Sequence, residues 1–250
     1  MSAQRLLQVK QSSINMMRKR GYTSLLTDEE DDKLLDSSDD YLLKAATYFQ
    51  YGNTPLRELL IIENETSLRT MLSTVYVRKM ADGKLDKCLV FFVETEGKKV
   101  LVREIRLVTQ IMLNHKIQAN RAIIISHEEI GSTAITGLKV LDTKNPIHII
   151  QHFQDSELLY DPFDHVYSPI SVEELDYDKV EKLKEKIISI HALPTIFSSD
   201  PIVKRMGFLV DTVLKLERPI LVRGNLLDTE ISYSLVISPA NLEKKLKKKI

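Results

Sequence analysis

The chain is 250 residues long and 43% apolar, and its 35 Lys plus Arg offset 35 Asp plus Glu. That length admits one large domain or two small ones, and the balanced charge supplies no global basic field pointing to nucleic acid. The lone cysteine, Cys88, excludes a disulfide framework and suits a reducing compartment. It lies in an apolar run and reads as a small buried hydrophobe, not a nucleophile. "MSAQRLLQVKQSS" has no signal-peptide core or cleavage signature, and no apolar run is long enough to span a bilayer. A soluble intracellular protein is expected.

The first predicted element is a helix over "AQRLLQVKQSSINMMRKRGY". Leu6, Val9, Ser13 and Met17 recur at helical steps, with Leu7 and Ile14 beside them. Arg18, Lys19 and Arg20 suit its negative end, and Gly21 suits a left-handed stop. In "TDEEDDKLLDSSDD", Thr27 and Glu30 fit a capping box, and the acidic cluster reads as a solvated face. "TPLRELL" predicts a short helix capped by Thr54, with Pro55 in its first turn.

Farther on, "KCLVFFVE" and "RAIIISH" read as buried strands. Between them "KKVLVREIRLVTQIMLNHK" carries Leu101, Ile105, Val108 and Met112 at helical spacing. Strand, helix and strand at these lengths predict a crossover unit with parallel strands. "VYVRKM" and "PIHIIQHF" extend the sheet. Residues 1–153 are therefore expected to form an α/β domain with a mixed sheet. Polar, proline-punctuated "QDSELLYDPFD", 154–164, reads as a linker.

A smaller α+β domain is expected over 165–237. "SVEELDYDKVEKLKEKIISI" reads as a helix with a Ser171/Glu174 capping box and a stripe of Val180, Leu183 and Ile187. In "ALPTIFSSDPIVKRMGF", Pro194 forces Leu193 toward extended geometry. Asp200 and Pro201 open a very short helix, and Gly207 ends it. The stretch is too apolar for a solvated loop. Strands "DTVLKLER" and "ISYSLVI" follow, then a basic tail, 238–250. Lys244 to Lys249 suit either salt-dependent phosphate binding or a solubilising end.

The spacing of Leu193, Pro194, Ile196, Asp200, Pro201 and Gly207 resembles that of a known family. It is the shared fifth subunit of eukaryotic nuclear RNA polymerases, which has an archaeal counterpart. Upstream, His165 and Pro169 match the family, and Met16 with Arg20-Gly21-Tyr22 resembles the end of its first helix. The resemblance covers most of the chain and is strongest from His165 to Ile237. It implies a jaw-like N-terminal domain, similar in fold to restriction-type nucleases, near downstream duplex DNA. It also implies a C-terminal assembly domain docked on the largest polymerase subunit, through His165, Pro169, Leu193, Pro194, Ile196, Asp200, Pro201 and Gly207. Arg121 and the Gly131-Ser132-Thr133-Ala134 loop are the DNA-side candidates.

The sequence departs from the family at Ser171, at Ser234 after Tyr233, in an apparently longer turn "PILVRGNLLDTE", and in the loop, where only Ala134 is kept. Such divergence suits a polymerase encoded by a large DNA virus. A cellular member would work in the nucleus, a viral one in host cytoplasm or virion.

Another class of function is weighed beside this one. Glu94, Glu96 and Lys98 follow a buried strand, as in nucleases whose carboxylates and lysine hold a divalent ion. Asp82 and Asp86 are the nearby acidic candidates, neither well placed. His148 and His152 lack the glutamate of the zinc-protease motif and read as surface or half-buried histidines. With no phosphate loop, nucleophile elbow or triad, the expectation is a non-catalytic subunit without metal or cofactor. A free-standing adaptor that reuses the fold is a third reading.

Overall fold

A computed structural model describes residues 3–24, 67–80, 83–95, 97, 99–136, 149–187, 189–222 and 225–239. The caps expected at Thr27/Glu30 and Thr54, together with Asp82, Glu96, Lys98, His148 and the lysine tail, lie outside these residues. The chain divides into two compact units, Met1–Tyr160 and Asp161–Ile250.

In the first unit, helix α1 spans Ala3–Lys19. Leu6, Leu7, Val9, Ser13, Ile14, Met16 and Met17 are all buried on it. Gly21 takes φ +77°, and the Tyr22 N–H donates to the Met17 carbonyl at 3.0 Å, closing the helix. Next come β1 (Thr74–Lys79), β2 (Leu85–Phe92), β3 (Lys99–Val100), helix α2 (Val102–Leu113), β4 (Arg121–Ser126), β5 (Glu129–Ile130) and β6 (Ile149–Gln154). The main sheet has the order β1-β2-β4-β6. β1 runs antiparallel to β2, and β2, β4 and β6 are parallel. The crossover expected from β2 through α2 to β4 is present.

Side-chain alternation explains the two cores. Cys88, Val90, Phe92, Ile123 and Ile125 face α1, whereas Leu89, Phe91, Ala122 and Ile124 face α2. A strand covered on both faces has no polar side, which is why "KCLVFFV" is uninterrupted. Leu101 departs from its predicted place. It is 53% exposed and precedes α2, whose Glu104 carboxylate accepts from the Leu101 N–H at 2.8 Å. The buried stripe of α2 is Ile105, Val108, Ile111 and Met112.

The segment 154–160 is not a solvated linker. Gln154 ends β6, and Asp155–Leu158 form a one-turn helix, α3. Asp155 is 1% exposed and accepts from both Nη atoms of Arg69, at 2.9 and 2.6 Å. Leu158 is fully buried. The division between units falls after Tyr160.

The second unit opens on a 3-10 turn, Pro162–Asp164. It continues with β7 (Ser171–Glu174), α4 (Tyr177–Lys184), β8 (Thr195–Phe197), α5 (Pro201–Met206), β9 (Val213–Val222) and β10 (Asn225–Ile237). Its sheet has the order β7-β9-β10-β8, with β8 parallel to β10. Ser171 and Glu174 therefore belong to an edge strand and form no capping box. The helix starts later, where the Asp176 carboxylate accepts from the Lys179 N–H at 2.8 Å. "PILVRGNLLDTE" is no long turn either. Its residues continue the ladder until Val222 pairs with Asn225. One face of the sheet packs Val213, Leu235 and Ile237 with Val180 and Leu183 of α4. The other packs Leu214, Leu216 and Val236 with Val203 of α5.

Candidate functional site

The residues expected to dock a partner divide into buried builders and exposed edge. Leu193 packs with Leu175, Val213 and Leu235, and Ile196 packs with Val203, Leu214 and Val236. Both are half-buried in their own unit's core. Pro194 is exposed, and its carbonyl accepts from the Leu235 N–H at 2.9 Å. The Asp200 carboxylate accepts from the N–H groups of Ile202 and Val203, at 2.9 and 3.4 Å, with exposed Pro201 in the first turn. Gly207 takes φ +76° and ends α5. The motif thus builds a strand edge and a capped helix. Its large exposed apolar side chain is Phe197, at 41%.

His165 is exposed, and its Nδ1 accepts from the Tyr167 N–H at 3.3 Å. The ring therefore satisfies a backbone donor. Pro169 is buried and leads into β7, where the Ile170 N–H donates to the Glu217 carbonyl at 2.7 Å. Pro169 and Leu193–Ile196 accordingly stand at opposite edges of the sheet. Helix α5 links the two regions, because buried Arg205 lies 3.6 Å from Asp161 at the start of the 3-10 turn. Sequence reasoning missed three exposed apolar side chains after His165: Val166, Tyr167 and Ile170. Their signal was a cluster of large apolar residues in a segment without helical or strand periodicity.

The DNA-side candidates are not brought together. Arg121 opens β4, whereas the expected loop at 131–134 is instead the start of a short helical segment, 132–136, that follows β5 past the far end of β4, where the Ile135 N–H donates to the Gly131 carbonyl at 3.0 Å. At about 3.3 Å per residue, β4 alone separates them by about 17 Å. Ser132 and Thr133 are exposed, and Ala134 is fully buried among Ile105, Val108 and their neighbours. Gly131 is buried, and a β-carbon there would meet the Val100 carbonyl at 3.1 Å, a tight approach to β3.

The nuclease candidates fare differently. Exposed Glu94 lines a cleft of about 260 Å³ with Arg69, Thr95, His127 and Glu128, at the C-terminal ends of β2 and β4. Asp86 lies toward the opposite end of β2, 7% exposed and held by Tyr22 and Arg78. No acidic residue converges on Glu94 from that direction. Among the described residues no group of His, Cys, Asp or Glu could hold a metal ion. His152 is half-buried, and its Nε2 lies 2.7 Å from the Ser126 hydroxyl. Ser126 is fully buried and donates to the Glu128 carbonyl at 2.6 Å, so the pair ties strand ends and offers no accessible nucleophile. Cys88 is buried, and burial pushes its thiol up to about 12.

The described geometry, in two units with separate cores, assembles no reacting constellation; a strand edge with exposed Phe197 stands out. No known family's sequence profile matches the chain. The chain is similar to "DNA-directed RNA polymerases I, II, and III subunit RPABC1" of Caenorhabditis elegans. The two are 26% identical over 233 residues, covering 93% of this chain and 96% of the relative. The Caenorhabditis briggsae protein of the same name is 25% identical over the same coverage. This similarity spans both units and supports a relationship to the shared RNA polymerase subunits. Among the described residues no helix is long and apolar enough to cross a membrane.

Proposed function

We propose that the chain is a non-catalytic subunit of a DNA-directed RNA polymerase. Its second unit docks on the largest subunit through the β8–α5 edge, and its first unit, nuclease-like in fold, lies near downstream DNA. The observation that carries this reading is similarity to the shared subunit over 93% of the chain, crossing the division between the units. The exposed edge fits the role. Phe197 presents an exposed apolar ring on a strand that pairs with β10 on one side only. Aromatic side chains are enriched at the centres of protein interfaces. The work done is positioning, with the chemistry left to the large subunits. The same proposal includes an origin in a large DNA virus, which would account for an identity of only 25–26% with the Caenorhabditis proteins.

Affinity purification of the tagged chain from its native extract, with partners identified by mass, tests the reading. The large polymerase subunits should co-purify in near-stoichiometric amounts. Recovery of the chain without them overturns it.

A further inference from the structure

Strand β10 is paired unequally on its two sides. β9 runs beside it from Leu235 to Asn225, but β8 covers the other side only at Leu235–Ile237. Backbone groups along a strand alternate between the two sides. The Val236 N–H donates to the Thr212 carbonyl at 2.9 Å, on the β9 side. The Leu235 N–H donates to the Pro194 carbonyl at 2.9 Å, on the β8 side. Going back in twos from Leu235, residues Tyr233, Ile231 and Thr229 therefore turn their N–H and C=O groups toward the side that β8 leaves open.

β8 stops for a local reason. The next bond of its ladder would need an N–H from residue 194, and Pro194 has none. The residues before it form a 3-10 turn, Ile190–Ala192, and not a strand. The Thr229 N–H donates to Asp228 Oδ1 at 2.8 Å. Among the described residues no strand or turn pairs with Ile231 or Tyr233 on the open side. The edge is also accessible. Ile231 is 53% exposed, Asp228 and Glu230 are exposed, and Thr229 and Tyr233 are half-buried.

Cross-strand neighbours set what such an edge accepts. Thr229, Ile231 and Tyr233 share one face of the sheet, where Tyr233 packs on the α4 core. Asp228, Glu230 and Ser232 share the other. A strand laid along the edge puts alternate side chains beside Ile231 and Tyr233, where β-branched or aromatic groups pack. The side chains between them fall beside Asp228 and Glu230, where lysine or arginine finds an opposite charge. On the β9 side Glu230 faces Arg218 and Asp228 faces Ile220, so both carboxylates can meet a cation from the open side. A second copy of this chain would instead bring its own Asp228 and Glu230 to the same face, and like charges there oppose pairing.

We propose that the open edge of β10, at 229–233, takes up an extended segment of a partner protein in which basic residues alternate with β-branched or aromatic ones. Main-chain bonds to Ile231 and Tyr233 supply affinity, and the alternation supplies specificity. The surface does not include Phe197, and the inference does not rest on the polymerase reading.

The test is fluorescence anisotropy of the full chain with a labelled peptide of alternating lysine and valine, matched in length to residues 228–234. Saturable binding is expected. The Ile231 and Tyr233 amides should slow in hydrogen exchange, while Ser232, already paired with β9, should not change. Ile231→Pro removes an edge-facing donor and leaves the bonds to β9 in place, and should weaken binding at least about tenfold. Glu230→Gln should weaken it about 2- to 5-fold. Methylating alternate amide nitrogens of the peptide leaves the protein untouched. One of the two methylation patterns should weaken binding about tenfold or more, and the other should leave it within about twofold. Equal binding of a glutamate–valine peptide overturns the proposal, as does binding that neither methylation pattern weakens. A dimer of the chain that Ile231→Pro breaks up also overturns it, because the edge would then belong to a second copy. A chain that co-purifies with polymerase but does not bind the lysine–valine peptide overturns this inference alone. One that binds the peptide through Ile231 but purifies without polymerase overturns the subunit reading alone.

Discussion

Asp200 and Gly207 fix the two ends of a helix too short to hold itself. Asp200→Ala removes the acceptor for the Ile202 and Val203 N–H groups and should cost about 1 kcal/mol. Gly207→Ala places a β-carbon on a backbone at φ +76° and should cost about 1–2 kcal/mol. Urea unfolding should show both as a lowered midpoint with an unchanged slope. Cys88 makes a pH prediction with a definite sign. Its ordinary thiol value of 9.0 is pushed up to about 12, first by burial. The unfolded thiol therefore ionises where the folded one does not. The stability this gives is complete below about pH 9 and is lost as pH rises toward 12. Tyr22 is also raised, by burial and then by its bond to Asp86, and acts in the same direction. Cys88→Ala should make the alkaline fall shallower, and iodoacetamide should label wild-type Cys88 only after unfolding.

At the scale of elements, the bidentate pair of Arg69 and Asp155 decides where the first unit ends. Both side chains are nearly inaccessible, at 6% and 1% exposed. Arg69→Ala would strand a buried carboxylate and should cost about 3–5 kcal/mol. Asp155→Asn in the same background should recover part of that, as read by denaturant midpoints of the full chain. The pair also shows why this segment was not legible. Its partners are 86 residues apart, and no local pattern encodes such a contact. The strands β2 and β4 were legible because burial on both faces leaves a continuous apolar run. β7 was not. Ser171-x-x-Glu174 has the spacing of a capping box, but Asp176 is a second cap nearer the apolar stripe of Val180 and Leu183. Pairing of Ser171–Glu174 with Leu214–Glu217 of β9 then settled the competition. A second pairing, of β9 with β10, turned an expected long turn into the ladder that ends at Val222 and Asn225.

For the molecule as a whole, the motif stretch, in which packing on its own unit and docking on a partner are both open readings, turns Leu193, Ile196 and Val203 into its own unit's core and leaves Phe197 exposed. Its spacing was legible, but which side chains turn inward depends on the pairing of β8 with β10, which a sequence does not display. In that pairing Ile196 lies opposite Val236 and points with it toward α5, whereas Phe197 lies opposite Ile237 and keeps 41% of its surface exposed. These two neighbours therefore make opposite predictions. Ile196→Ala removes packing from the unit's own core and should cost about 2 kcal/mol, toward the lower end for a half-buried site. Its loss of polymerase subunits on purification should track its loss of stability. Phe197 is exposed, so Phe197→Asp should lower the melting temperature much less than Ile196→Ala. If the β8 edge is the docked surface, an anchoring aromatic is worth about 2 kcal/mol or more. Recovery of the large polymerase subunits should then fall by at least about tenfold. A Phe197→Asp chain that melts normally and still co-purifies in full would move the interface away from this edge. The exposed side chains of Val166, Tyr167 and Ile170, at 65%, 68% and 54%, would then be the next to change.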